Sequence, residues 1–152
     1  MIRRKIQNII ILLFCGYSLY FVLGSFLTPL FAELKIYYWA DKLRWLYSHS
    51  CHQQPDRSIW LFGYPIALCA RCFGFYIGVF VYAIIVVLKR IKLTLKKYII
   101  IFSLFIIDIL LNYNGVNTGN FARFSIGILM GILFVDTLFK LLDIKNGEEK
   151  WN

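Results

Sequence analysis

Three cysteines and a histidine stand close together in a chain that is otherwise poor in such groups. Cys51 and His52 are adjacent, and Cys69 and Cys72 follow as a Cys-x-x-Cys pair. Thiolate sulfur and imidazole nitrogen are the donors that tetrahedral zinc prefers, so Cys51, His52, Cys69 and Cys72 form a candidate Cys₃His metal set. The interval between His52 and Cys69 is comparable with zinc-site spacings. His49 and Asp108 are further candidates for the fourth ligand. The same residues allow a second chemistry, a disulfide from Cys51 to Cys69 or Cys72 on an oxidising face of a membrane. A Cys-x-x-Cys pair opening a helix is also suited to redox work, because the helix dipole and a neighbouring cation such as Arg71 favour thiolate.

A second group of polar residues lies where apolar ones are expected. Asp108 falls inside an apolar run, Asn112 follows one turn later, and Arg123 with Asn120 one turn before it opens the next run. Charges at membrane depth are costly, which marks these four as a buried polar set. Counting 1.5 Å per residue from the turn they share places Asp108 and Arg123 at similar depths, and an ion pair between them is expected. Arg57 and Arg71 lie near the cysteines and could take an anionic headgroup or a carboxylate on their planar donor forks. Asp136, with Lys140 four residues on, is read as an ordinary surface-level pair. Cys15, alone in the first apolar run, is read as a packing residue.

The elements that position these groups follow from composition. The 152-residue chain is 60% hydrophobic, more apolar surface than a soluble domain of this size encloses. A hydrocarbon core needs roughly 20 helical residues to cross. Four runs are expected to do so, at about residues 6–30, 64–88, 98–113 and 121–142, giving an all-α integral membrane bundle in one domain. The first run, behind Arg3, Arg4 and Lys5, reads as an uncleaved signal anchor. Between the first two runs lies an outer loop, residues 33–63. Ile36, Trp39, Leu43, Leu46 and Tyr47 recur there at helical spacing, which predicts a short interfacial helix that delivers Cys51 to the membrane boundary. Pro65 is expected in the first turn of the second span. Gly74 and Gly78 in that span, with Gly127 and Gly131 in the fourth, predict that the two pack closely.

The net charge of +9 does not point to nucleic acid, because its carriers are not gathered on one water-facing surface. Arg3, Arg4 and Lys5 precede the first run; Lys89, Arg90, Lys92, Lys96 and Lys97 lie between the second and third; Lys140, Lys145 and Lys150 follow or close the fourth. This alternation predicts a multi-pass protein of the plasma membrane with both termini cytoplasmic, residues 143–152 as a cytoplasmic tail, and the cysteines on the outer side. Its partner is the lipid bilayer.

Cys51-His52-Gln53-x-Pro55-x-Arg57-Ser58, followed by Pro65-x-x-x-Cys69-Ala70-Arg71-Cys72-x-Gly74-x-Tyr76-x-Gly78, resembles the signature of the small prokaryotic membrane proteins catalogued as domain of unknown function 2085. The later Asp108, Asn120, Arg123 and Gly127 are similar to that family's third and fourth helices, with Ile109 and Asn112 departing from its pattern. The resemblance implies this topology and this choice of residues, and no established activity.

Three readings follow. The first is a zinc site at the outer face, structural or used in metal handling. The second is a thiol–disulfide oxidoreductase, resembling in outline the quinone-linked disulfide-forming membrane proteins. There Cys69 and Cys72 would cycle, Cys51 would resolve the mixed disulfide, and Arg71 would favour the thiolate or a reduced quinone. The third is a membrane scaffold or assembly factor whose cysteines brace a loop.

Overall fold

The computed structural model describes residues 2–89 and 91–144. Arg90 and the tail from residue 145 onward, with Lys145 and Lys150, lie outside the described residues. Among the described residues there are five α-helices, α1 Ile2–Glu33, α2 Tyr37–Ser48, α3 Ala70–Lys89, α4 Leu95–Tyr113 and α5 Gly119–Ile144, and one antiparallel hairpin of β1 Ser58–Leu61 and β2 Tyr64–Cys69.

The hairpin corrects the all-α expectation and moves the start of the second long helix from residue 64 to Ala70. Its cause is local. Phe62 and Gly63 both have positive φ, 53° and 78°, the conformation of a two-residue type I′ turn that matches the twist of paired strands. Leu61 pairs with Tyr64, and Ser58 with Cys69. Pro65 sits opposite Trp60 in this two-stranded ribbon, where every strand is an edge and its missing N–H costs no ladder bond. Ile66, Ala67 and Leu68 are all buried, so β2 reads as a continuous apolar run and merges in sequence with the helix behind it.

Among the described residues, three helices are long and apolar enough to cross a membrane: Lys5–Glu33, Ala70–Lys89 and Gly119–Leu142. The expectation of four is therefore corrected to three. α4 carries Lys96, Lys97 and Asp108 within 19 residues and falls outside that class by charge, although it lies along α5 from Asp136 to Arg123. Tyr98 near its start reaches Asp136, while Asn112 near its end reaches Arg123.

The core is the contact of α3 with α5, which run parallel. A Cβ at Gly74 would overlap the carbonyl of Phe124, and one at Gly78 the carbonyl of Ile128. Cβ atoms at Gly127 and Gly131 would overlap the carbonyls of Arg71 and Phe75. The four glycines thus let the two backbones touch, as their spacing predicts. α1 runs antiparallel along α3, with Ile11 and Cys15 packed on Val79, Tyr82, Ala83 and Val86. Cys15 is buried there as a packing residue.

α2 folds back onto the end of α1. Its packing face is Ala40, Leu43 and Tyr47, narrower than the predicted stripe, for Trp39 and Leu46 are exposed. Tyr47 is fully buried, lies 4.9 Å from the ring of Phe21, and donates to the carbonyl of Tyr20. The amide of Cys51 in turn donates to the carbonyl of Tyr47, so this aromatic anchor fixes where Cys51 stands.

Candidate metal centre

Cys51, Cys69 and Cys72 come from three separate segments: the loop just after α2, the end of β2 and the first turn of α3. Their sulfurs all lie within 4.8 Å of one another. Cys69 Sγ is 3.2 Å from Cys51 Sγ and 3.4 Å from Cys72 Sγ, and none of the three is in a disulfide. A tetrahedral zinc with bonds of about 2.3 Å would hold its sulfurs about 3.8 Å apart, inside the range these thiols already occupy. The amide of Cys69 donates to Cys51 Sγ at 3.2 Å, a bond suited to a thiolate ligand.

Electrostatics single out Cys69. Its contacts with the Cys51 and Cys72 sulfurs hold it far below the ordinary thiol range despite burial, and Arg71 adds to the effect. Cys51 is raised in turn, chiefly because its thiol proton is engaged by Cys69. The arrangement of the triad thus favours thiolate at Cys69 over its two neighbours.

His52 lies outside the three-sulfur group. Its side chain is exposed and lines a cavity of about 300 Å³ on which Cys69, Cys72, Arg57, Arg71 and Arg123 also open. His49 is turned away: its Nδ1 is 3.2 Å from the carbonyl of Trp45 and its ring packs edge-on against that indole. Asp108 is also committed elsewhere. Its carboxylate forms an ion pair with Arg71 and accepts from Asn112 Nδ2 at 3.0 Å and from Thr118 Oγ1 at 2.7 Å.

The expected Asp108–Arg123 pair is thus replaced by Asp108–Arg71. Arg71 sits on α3 in the turn between the two cysteines and reaches across to α4. Arg123 instead donates through Nε to Asn112 Oδ1 at 3.2 Å and through a terminal nitrogen to Asn120 Oδ1 at 3.2 Å. Asp108, Asn112, Asn120, Arg123 and Arg71 form one connected network beneath the sulfurs. Asn120 ties it upward by donating to the carbonyl of Ser58, the partner of Cys69 in the hairpin. Thr118 was not singled out in sequence; its only signal is a place in the polar stretch Asn114 to Asn120.

At the opposite end, Asp136 is a second correction. It is fully buried rather than at the surface. It accepts from Tyr82 Oη at 2.9 Å, Tyr98 Oη at 2.7 Å and the amide of Leu93 at 3.1 Å, besides pairing with Lys140 at 3.3 Å.

The family model described as predicted membrane protein (DUF2085) matches residues 51–139, a stretch that begins at the first cysteine of the triad and contains the whole polar network. The chain is 44% identical over 92 residues to the uncharacterized protein MJ1492 of Methanocaldococcus jannaschii, covering 55% of this chain and 59% of that protein. It is 31% identical over 90 residues to an uncharacterized protein of Methanothermobacter thermautotrophicus, covering 57% of this chain and 81% of that one. No solved structure matches the chain. With more than half its length matched by the model, the chain belongs to the DUF2085 family of predicted membrane proteins.

Proposed function

We propose that the triad holds one soft divalent cation, most simply zinc, with Cys51, Cys69 and Cys72 as protein ligands and His52 completing the set from the cavity side. The observation that carries this reading is the convergence of three sulfurs, unbonded to one another, from three elements on one point. Three protein ligands and an accessible fourth position are the arrangement of zinc sites that exchange a ligand, while a closed set is structural. Either way the ion would clamp the loop after α2 to the hairpin and to α3. The gathering of Lys89, Lys92, Lys96 and Lys97 at the end opposite the triad supports a plasma-membrane orientation with the sulfurs outside and both termini cytoplasmic.

Elemental analysis of the purified protein tests the reading. About one zinc per chain is expected, lost in the Cys69→Ser, Cys72→Ser double variant. A metal-free preparation with undiminished stability would reject it.

A redox reading is favoured by a different observation. Arg71 and Cys72 also line an apolar groove with Phe75, Tyr76, Phe105 and Met130, suited to a quinone. Oxidation of Cys69 and Cys72 to a disulfide would release two protons and two electrons, which convert a quinone to its quinol. Thiol trapping in cells separates the readings: this one requires an oxidised Cys69–Cys72 pair, the metal reading a reduced one.

A further inference from the structure

The geometry points to a binding site for a small phosphate-bearing anion in the cavity beside the sulfur triad, held by Arg57, Arg71 and Arg123. Arg123 is only 6% exposed and lines that cavity. Its guanidinium meets the neutral amide oxygens of Asn112 and Asn120, and among the described residues no carboxylate pairs with it. A cation removed from water and answered only by neutral acceptors is costly, and an anion arriving in the cavity would relieve that cost. Arg71 is answered by Asp108 on its α4 side, but its Nε is buried with no acceptor. Arg57 comes to the same cavity from the single helical turn Pro55–Arg57, half-exposed, and its contact with the exposed Asp56 is a loose 3.7 Å, a pair of little strength in water.

Three arginines from three elements therefore line one space. A planar carboxylate is served by one or two donor forks, whereas a tetrahedral oxyanion accepts from several directions at once, and this favours phosphate. At about 300 Å³ the cavity stands at the small end of ligand sites, enough for a phosphate group with a modest substituent. A lipid headgroup and a free phosphate offer the same chemistry there. The site is assigned to the arginines and is independent of whether the sulfurs hold a metal.

The test is calorimetric titration of the full chain with inorganic phosphate in a phosphate-free maltoside detergent, before and after treatment with a chelator. In parallel, melting temperatures are read in nanodiscs of phosphatidylcholine with and without phosphatidic acid. Saturable phosphate binding in both the metal-bearing and stripped forms, weakened about tenfold by Arg123→Gln and more mildly by Arg57→Gln, is the expected result. Stabilisation by phosphatidic acid that exceeds stabilisation by free phosphate assigns the headgroup as the source; the reverse assigns a soluble ligand. Arg57→Gln lies at the exposed rim and keeps the test valid should Arg123→Gln fail to fold. No saturable binding in any arm would overturn the proposal. So would binding seen only with metal present, which would make the anion a metal ligand, and so would binding unchanged in both variants.

Discussion

Asp108 of α4 takes its ion pair from Arg71, one of the two residues between Cys69 and Cys72 in the chain. α4 buries little else: Ile101 and Asp108 are its only buried residues, and most of its large side chains are exposed. The apolar surface of α4 thus faces outward, and polar bonds at two levels hold the helix to the bundle. Asp108 and Asn112 hold the end near the sulfurs, and Tyr98 on Asp136 holds the other.

Removing one partner of a buried pair leaves an uncompensated charge, which costs about 3 kcal/mol or more. Arg71 is about one-third exposed, which reduces the loss on its side. Asp108→Leu is expected to lower the melting temperature clearly. The double variant Asp108→Leu, Arg71→Met should be less destabilised than the sum of the two single changes, because no charge is then stranded. Strict additivity in that cycle would mean that the pair does not hold α4 in place.

The sulfur triad gives a second prediction, with its own pH dependence. Thiolates, not thiols, ligate metal, so each ligand proton competes with the ion. Zinc content should be retained at neutral pH and lost on acidification. Cys51→Ser should lower it as strongly as Cys69→Ser, because the three sulfurs form one site. His52→Ala should weaken retention less, since three ligands remain. Zinc retained in full by Cys51→Ser would exclude that residue from the set.

Much of this arrangement was legible in the sequence, and the failures share a cause. The cysteines, the buried polar set and the glycine pairs were visible because each is a residue type out of place, or spaced, in an apolar chain. The hairpin was hidden because Ile66, Ala67 and Leu68 continue the apolar run of α3, and hydropathy cannot tell a buried strand from a helix over so few residues. Phe62-Gly63 was the available signal, a turn with glycine between two apolar segments. Depth along α4 and α5 alone points Asp108 to Arg123. Arg71 reaches the same depth from α3, which starts at Ala70 and not at residue 64. For Asp136 the sequence displays only the i+4 lysine, while its other partners, Tyr82, Leu93 and Tyr98, are distant in the chain.

Asp136 gives a third prediction. Its carboxylate gathers α3, the α3–α4 connection and α4 onto α5. Asp136→Ala removes the acceptor shared by Tyr82, Tyr98, the amide of Leu93 and Lys140, and a buried group left without a partner costs about 1–3 kcal/mol. The variant should be far less stable than an exposed i,i+4 pair would suggest, and Asp136→Asn should recover part of the loss. Proteolysis within residues 89–95 should accelerate in parallel. A melting temperature within a degree or so of the parent protein would contradict the role given to Asp136.

The contact of α3 and α5 allows a comparison between two kinds of glycine in membrane-crossing helices. A methyl group at Gly78 or Gly127 would run into the carbonyl of Ile128 or Arg71, and backbone cannot swing aside as a side chain tip can. At Gly16 nothing lies within 4 Å of the position a Cβ would take. Gly16→Ala removes only backbone freedom from the unfolded chain and should be neutral or stabilising by up to about 1 kcal/mol. Gly127→Ala must push α3 and α5 apart at the level of Arg71, and overpacking of this kind costs about 1–3 kcal/mol or more. Because Cys72 and Arg71 ride on the displaced segment, Gly127→Ala should also reduce metal content, which Gly16→Ala should leave intact. Equal effects of the two substitutions on melting temperature and metal content would show that the close approach of α3 and α5 does not position the site.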